Sequence, residues 1–204
     1  MKFSKIVADC PWDYNDKKNN DPAMGGLTYK SMVNEDLYNL NLSDVAENDS
    51  LLFSWSTMPK LKEGIEFIER NGFKYITCGL VWVKINPKGE VTKEGKDITL
   101  KGGIYSGLGH YFNGNAELLL IGKRGKGLKR IRKDIKQIMI EPRGIHSKKP
   151  EEAQNRIEQL YGTEGNMLEV FARRQRSNWV CVGNEISGNS IEVDLELIKQ
   201  DKYS

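Results

Sequence analysis

The sequence predicts an α/β fold in which helices cover both faces of one sheet. Three observations predict it. Short apolar segments typical of buried strands recur along the chain, as in residues 3–8. Amphipathic segments typical of helices lie between them, as in residues 59–70. The chain also has 204 residues and the composition of an ordinary globular protein, which fits one domain.

The elements follow from these patterns in chain order. Apolar segments predict strands at residues 3–8, 50–56, 74–84, 117–121, 135–140, 167–171 and 179–182. Helices are predicted at residues 33–40, 59–70 and 149–161. Asn34 suits the N-terminal cap of the first helix, and Pro59 suits the first turn of the second. Asn71-Gly72 provides the residues that commonly end a helix.

Two long polar segments, residues 13–30 and 85–115, are predicted to be loops because they are rich in residues that favour turns. Long loops in a compact domain are usually functional or disordered. The pattern after residue 187 defines no clear element. We therefore predict one folded domain over residues 1–188 and a C-terminal tail over residues 189–204.

Composition argues against several classes of protein. The three cysteines are widely spaced and odd in number, so neither a disulfide framework nor a zinc site is expected. Only two histidines are present, and we expect no metal centre. No apolar stretch resembles a signal peptide or a membrane span. These features predict a cytoplasmic protein that does not associate with a membrane.

The segment Asp9-Cys10-Pro11-Trp12 follows the first predicted strand, and ligands of doubly wound sheets bind beyond such strand ends. The Asp9 carboxylate and the Cys10 carbonyl could accept hydrogen bonds from an exocyclic amine, while Pro11 stiffens the turn. Trp12 offers a face on which an extruded base could stack. Taken alone, the four residues also fit a strand-ending aspartate in a proline turn with a core tryptophan.

Further segments extend this motif along the chain. They are Thr28-Tyr29-Lys30-Ser31-Met32, Leu52-Phe53-Ser54-Trp55, Val81-Trp82-Val83-Lys84, Gly109-His110-Tyr111, Ser147-Lys148-Lys149-Pro150-Glu151, Glu169-Val170-Phe171-Ala172-Arg173, Asn178-Trp179 and Gly183-Asn184-Glu185. Their order and spacing resemble those of the N6-adenine methyltransferases typified by the catalytic subunit of the eukaryotic mRNA adenosine methyltransferase. That family has an Asp-Pro-Pro-Trp motif and small bacterial and phage relatives.

The resemblance implies a Rossmann-like methyltransferase sheet, S-adenosylmethionine as cofactor, and methyl transfer to N6 of adenine in DNA. It implies that Asp9 accepts from the target amine and approaches the cofactor, and that Tyr29 lies near the base. Lys149 would bind the carboxylate of the cofactor. The ribose and adenine of the cofactor would be bound by Arg173, Gln175, Arg176, Asn184 and Glu185.

The chain departs from the family pattern at two points. Cys10 replaces the first proline of the motif, which keeps the carbonyl but loosens the turn. Gln175-Arg176 stands where the eukaryotic enzyme has His-Asn. Two alternatives to a DNA enzyme stay open: an RNA N6-adenosine methyltransferase, and a catalytically inactive partner subunit that binds nucleic acid. The chain could act alone, as a homodimer or with a related subunit.

Residues 123–149 are strongly basic, with Asp134 and Glu141 as the only acidic side chains. Such a stretch suits contacts to phosphates, although a solvated basic face is the common alternative. The residues predicted to bind nucleic acid are Lys84, Lys126, Lys129, Arg130, Arg132 and Lys133. Glu117 opens a predicted strand, and the sequence assigns it equally to the site or to the edge of the core.

Overall fold

The computed structural model describes residues 1–14, 31–94, 97–107, 109, 111–144 and 148–203. Its strands are β1 Phe3–Ala8, β2 Ala46–Thr57, β3 Lys74–Ile85, β4 Glu90–Glu94, β5 Asp97–Lys101, β6 Ala116–Arg124, β7 Ile138–Pro142, β8 Met167–Val170 and β9 Val180–Val182. Its helices are α1 Asn34–Tyr38, α2 Leu61–Arg70, α3 Glu152–Tyr161, α4 Asn184–Ser187 and α5 Ile191–Lys199. This architecture confirms the predicted α/β fold.

Seven strands form one sheet in the order β7-β3-β6-β2-β1-β8-β9. The chain divides into two compact units, which we describe separately. Unit 1 comprises Met1–Thr77, Leu120–Leu128 and Glu164–Ser204, and unit 2 comprises Cys78–Leu119 and Lys129–Thr163.

In unit 1, β1 pairs in parallel with β2 on one side and with β8 on the other. The registers align Ala8 with Ser54 and with Val170, and β8 in turn pairs in parallel with β9. Every residue of β1 is buried. A strand buried on both faces favours apolar residues, and four of the six in β1 are apolar; the buried Lys5 Nζ donates to the Glu164 carbonyl at 2.7 Å.

The helix α2 packs its buried side on the sheet of unit 1 through Gly64, Phe67 and Ile68. A Cβ atom at Gly64 would lie 2.9 Å from Ser56 Oγ, so the close approach of helix and strand requires glycine. Pro59 lies in a short 3₁₀ turn, Met58–Lys60, just before the helix. The sequence predicted that the helix begins at Pro59. In the structure Pro59 lies in the 3₁₀ turn, and the helix begins at Leu61.

Asn71 ties three local elements of unit 1 together. Its Nδ2 donates to the carbonyl of Leu37 at 3.0 Å and to that of Phe67 at 2.9 Å. Its Oδ1 accepts from the backbone N–H of Leu42 at 3.1 Å. The side chain is buried, so these hydrogen bonds replace the ones that it would make to water in the unfolded chain. Asn71 thus joins the end of α1, the last turn of α2 and the 3₁₀ turn Leu42–Asp44.

In unit 2, β3 and β7 are parallel, with Trp82 aligned to Met139. The predicted strand at residues 135–140 begins only at β7, three residues later than expected. The helix α3 likewise begins at Glu152, after a turn closed by the Ala153 N–H on the Pro150 carbonyl at 3.2 Å. These shifts are of the size expected at element boundaries.

Two further predictions from the sequence need correction, and one segment that had no prediction now has a defined element. The predicted loop over residues 85–115 contains an antiparallel hairpin of β4 and β5. Asn34 is inside α1 and does not cap it, because Val33 holds the extended cap position. The stretch after residue 187, where no element was predicted, belongs to unit 1 and contains the helix α5. The prediction of a domain boundary at residue 188 is not decided by these elements.

We expect Asn71→Ala to lower the free energy of unfolding by at least about 2 kcal/mol, because each buried polar group left unpaired costs roughly 1–3 kcal/mol. Urea denaturation followed by circular dichroism measures this. Asn39→Ala, at an exposed position after α1, is the matched control and should change the free energy by less than about 0.5 kcal/mol. Equal stability of the two variants would contradict the role of Asn71.

Candidate active site

The motif Asp9-Cys10-Pro11-Trp12 begins directly after β1 in unit 1. The Asp9 N–H donates to the Val170 carbonyl at 3.5 Å, which extends the pairing of β1 with β8 to the motif. The Trp12 N–H donates to the Cys10 carbonyl at 2.9 Å and closes a three-residue turn around Pro11. Asp9 therefore lies at the carboxyl end of β1, directly after the strand.

The structure explains how Cys10 is accommodated in place of proline. Its side chain is buried, and burial agrees with the common behaviour of a free cysteine as a small apolar residue. Its carbonyl is oriented by the Trp12 N–H. The Pro11 carbonyl accepts from the Met32 N–H at 2.9 Å, which fixes the other side of the turn. Backbone bonds thus supply rigidity that a first proline would otherwise give.

Trp12 is a packing residue in this structure. It is 3% exposed, and its ring meets Phe67 edge-on at 6.0 Å with an interplanar angle of 84°. Edge-to-face geometry is the favourable arrangement for such a pair. The expectation that the Trp12 face is open for base stacking is therefore corrected, and the core role that the sequence left open describes Trp12 better.

The residues predicted to bind the cofactor nucleoside lie in unit 1 after β8 and after β9. Arg173 Nε lies 3.6 Å from Glu185 Oε1, so the structure brings these two segments together. The Ala172 N–H donates to the Val182 carbonyl at 2.9 Å and fixes the same juxtaposition through the backbone. Asn184 is exposed beside Glu185. Gln175 and Arg176 lie on the turn between β8 and β9, where Gln175 is exposed and Arg176 half-buried.

Unit 2 contains a buried cluster of Lys84, Glu117 and Lys149. Glu117 Oε1 lies 2.5 Å from Lys84 Nζ, and Glu117 Oε2 lies 3.3 Å from Lys149 Nζ. The three side chains are only 9–17% exposed. Lys84 Nζ also lies 4.9 Å from the centre of the Trp82 ring, within range of a cation–π interaction. The cluster carries two positive charges against one negative charge.

Glu117 is the charge that makes this cluster possible. Burial pushes its pKa upward, but the nearby ammonium groups of Lys149 and Lys84 outweigh burial and hold the pKa below the ordinary glutamate value. Glu117 is therefore a carboxylate at neutral pH. The sequence did not decide between a site role and a core role for Glu117, because its two lysine partners come from distant segments.

Five of the six residues predicted to bind nucleic acid have exposed side chains: Lys126, Lys129, Arg130, Arg132 and Lys133. Lys126 belongs to unit 1, and the other four belong to unit 2. Arg132 is partly neutralised, since its Nε donates to Asp134 Oδ1 at 2.9 Å. Lys84 is the exception, because its ammonium is buried against Glu117. The prediction of a phosphate contact for Lys84 is therefore corrected.

Two residues singled out from the sequence, Tyr29 and His110, lie outside the described residues. Within the described part of the chain, no cluster of three metal-binding side chains occurs. Over the same residues, no helix is long and apolar enough to cross a membrane.

Comparison with known proteins now identifies the family. The family described as MT-A70 matches residues 3–185, which is most of the chain and includes both the Asp9 turn and the lysine cluster. This chain belongs to the MT-A70 family. As a member it is an S-adenosylmethionine-dependent methyltransferase acting on N6 of adenine, and its sheet is the Rossmann-like methyltransferase fold.

Individual relatives of this MT-A70 protein differ in how much of their own length aligns with it. The Type II methyltransferase M.MunI of a Mycoplasma species is 27% identical over 96% of this chain and 82% of its own length. The probable N(6)-adenosine-methyltransferase MT-A70-like of Oryza sativa is 28% identical over 92% of this chain but only 23% of its own length. The putative Medicago truncatula protein of the same type is 29% identical and is covered over 27%. The chain thus spans about a quarter of the plant relatives.

We expect Glu117→Gln to destabilise the fold at neutral pH by about 3–5 kcal/mol, because removing one partner leaves buried charges uncompensated. The pKa of Glu117 is lowered on folding, so its stabilisation is complete above the ordinary value of 4.5 and is lost as pH falls through the folded value. The stability difference between wild type and variant should therefore shrink in acid.

Urea denaturation at pH 7 and at successively lower pH measures that difference. Glu94→Gln, on the exposed hairpin strand β4, is the control and should show little effect at any pH. A difference between Glu117→Gln and wild type that stays constant from pH 7 down to pH 3 would show that the carboxylate charge is not what stabilises the cluster.

Proposed function

We propose that this protein methylates N6 of adenine in DNA, with Asp9 as the acceptor for the target amino group. The observation that carries the proposal is the position of Asp9, which lies at the carboxyl end of the central strand β1 in a turn fixed by backbone bonds. The exocyclic amine is a weak nucleophile, because its lone pair is delocalised into the ring. An acceptor for an amino hydrogen favours the tetrahedral nitrogen that can attack.

The Cys10 carbonyl is the proposed second acceptor for the amine. Two fixed acceptors in a dry pocket act where charge develops, and preorganised groups of this kind account for a large part of enzymatic rate enhancement. The proton lost after transfer needs no strong base, since the alkylated amine is acidic enough for water to take it. Trp12 supports this geometry by anchoring the turn against Phe67.

S-adenosylmethionine supplies the electrophilic methyl group when bound, and the chain offers suitable partners for its polar parts. We propose that Lys149 binds the carboxylate of the cofactor. An ammonium group has three donors, so Lys149 can keep its bond to Glu117 while it binds a second carboxylate. The ribose and adenine are assigned to Arg173, Asn184 and Glu185, and less directly to Gln175 and Arg176.

DNA is preferred over RNA because of the relatives' lengths. The match to the Type II methyltransferase runs through most of both chains, whereas the plant proteins named for adenosine are matched over about a quarter. The same names support the second candidate, an RNA N6-adenosine methyltransferase. We further propose a bacterial or phage enzyme that works in the cytoplasm, either alone, as a homodimer or with a related subunit.

Phosphates are proposed to bind the exposed basic residues Lys126, Lys129, Arg130, Arg132 and Lys133. Exposed cations displace condensed counterions from a nucleic acid and give binding that weakens with salt. Arg132 is expected to contribute least, because Asp134 already compensates its charge. This surface sets affinity and leaves the choice of sequence to other parts of the protein.

Asp9→Ala should slow methyl transfer by at least about 10²–10³-fold, as expected when one preorganised group is removed. The melting temperature should change little, because Asp9 is only half-buried and lies outside the strand. Single-turnover transfer from labelled cofactor is measured on duplex DNA, single-stranded DNA and RNA of one sequence. Asp36→Asn, exposed on α1, is the control. Preference for the RNA strand would replace the DNA proposal with the second candidate.

The chemistry itself is tested with a strand that already carries N6-methyladenine. Wild-type protein should label the unmodified strand and leave the methylated strand nearly unlabelled. Wild-type transfer rates for Asp9→Ala, or equal labelling of the two strands by wild-type protein, would falsify the N6 mechanism.

Neutralising Lys129, Arg130 and Lys133 together should weaken binding to all sequences. On duplex DNA each lost phosphate contact should reduce the slope of log affinity against log salt by about 0.9. Fluorescence anisotropy over a range of salt concentrations measures the slope. The control neutralises Lys62, Lys74 and Lys88, which are exposed elsewhere. An identical slope for both triple variants means that the basic surface is only solvated.

A further inference from the structure

Asp194 is a fully buried carboxylate that the proposed chemistry does not use. It lies in the first turn of α5, and its side chain is completely shielded from solvent. Its Oδ2 accepts from the Gly183 N–H at 3.0 Å and from the Ser187 hydroxyl at 2.7 Å, while its Oδ1 accepts from Asn189 Nδ2 at 3.0 Å. A buried carboxylate is costly unless it is hydrogen-bonded in this way. The three hydrogen bonds fix the positions of the groups that donate to Asp194.

All of these donors belong to one segment, residues 183–189, which links β9 to α5. Gly183 has a φ of 142°, a conformation that favours glycine. A Cβ atom there would lie 3.1 Å from the Ala172 backbone nitrogen, so the segment is also held against the end of β8. The Asn189 N–H donates to the Ser187 hydroxyl oxygen at 3.1 Å. Asp194 therefore holds both ends of the segment at once.

The segment carries Asn184 and Glu185, whose proposed partner is the nucleoside of the cofactor. Both side chains are exposed, and Glu185 is further oriented by Arg173. Their backbone lies in the short helix α4, which is too short to hold its shape alone. The conformation of these two residues thus depends on contacts from outside the segment, and Asp194 supplies three of them.

We propose that Asp194 is a positioning residue that holds residues 183–189 in the conformation in which Asn184 binds the cofactor. The family match ends at residue 185, so this support comes from outside the matched region. The inference rests on the proposed assignment of Asn184 to the cofactor. It predicts that the C-terminal helix α5 contributes to cofactor affinity although none of its side chains touches the cofactor.

The test compares three variants of the full chain. Asp194→Ala removes all three bonds and should weaken S-adenosylmethionine binding by about tenfold or more. Asp194→Asn keeps an acceptor for Gly183 and Ser187, and a rotated Asn189 amide can accept from the new amide nitrogen; its affinity should return to within about threefold of wild type. Glu192→Ala is the control, since Glu192 is an exposed acidic residue in the same helical turn.

Calorimetry with S-adenosylmethionine gives the affinities, and steady-state kinetics separates the two parameters. For Asp194→Ala the KM for cofactor should rise about as much as the dissociation constant, while kcat at saturating cofactor stays within about threefold. All measurements are made well below the melting temperature of each variant. Wild-type cofactor affinity for Asp194→Ala at such a temperature would overturn the inference, even if that variant melts earlier.

A double-mutant cycle separates this inference from the function on which it rests. If Asp194 acts through Asn184, the variant Asn184→Ala/Asp194→Ala should bind cofactor no more weakly than the weaker single variant. Additive losses overturn the positioning role while leaving Asn184 in the site. Unchanged affinity of Asn184→Ala overturns both the assignment of Asn184 and the inference, whereas loss in Asn184→Ala alone overturns the inference only.

Discussion

Parallel pairing of β1 with two neighbours is the constraint on which the catalytic geometry depends. β2 and β8 satisfy the backbone of β1 on both sides, so the whole strand is buried and Asp9 follows at its carboxyl end. The Asp9 N–H donates to the Val170 carbonyl, so the backbone of the first motif residue is held by the sheet.

Unit 2 contains a buried cluster of charged side chains, Lys84, Glu117 and Lys149. Two lysines can be nearly buried there because one carboxylate lies between them, and removing that carboxylate leaves both lysines without it. An excess of one positive charge suits an anionic ligand better than a neutral one. The cluster is thus a structural feature, and its excess positive charge is compatible with the proposed role of Lys149 toward the cofactor carboxylate.

Sequence reasoning succeeded where a feature is encoded locally. The strand β1 is mostly apolar and short, and the Asp9 motif follows it directly. The hairpin of β4 and β5 was missed because its five-residue strand β5 is exposed throughout and has no buried face to mark it. The partners of Glu117 could not be predicted, since they depend on which strands and helices adjoin. Trp12 was assigned to stacking because composition cannot show whether a ring is covered.

The helix α5 could have been predicted from the sequence. Ile191, Leu195 and Ile198 are buried and recur at the spacing of one helix face. Their pattern is readable in the sequence, but Asp194 among them looks like a surface residue. Only the structure shows that its carboxylate faces the interior and meets Gly183, Ser187 and Asn189.

The contacts of Asp194 also bear on how such enzymes diverge. The family match ends at residue 185, within the segment 183–189, yet that segment is held by a helix beyond it. The conformation of the matched residues 183–185 therefore depends partly on a helix that lies beyond the family match. A lineage could replace α5 by any element that offers a buried acceptor to the Gly183 amide. Swapping C-terminal segments between relatives would then change cofactor use while every motif residue stayed the same.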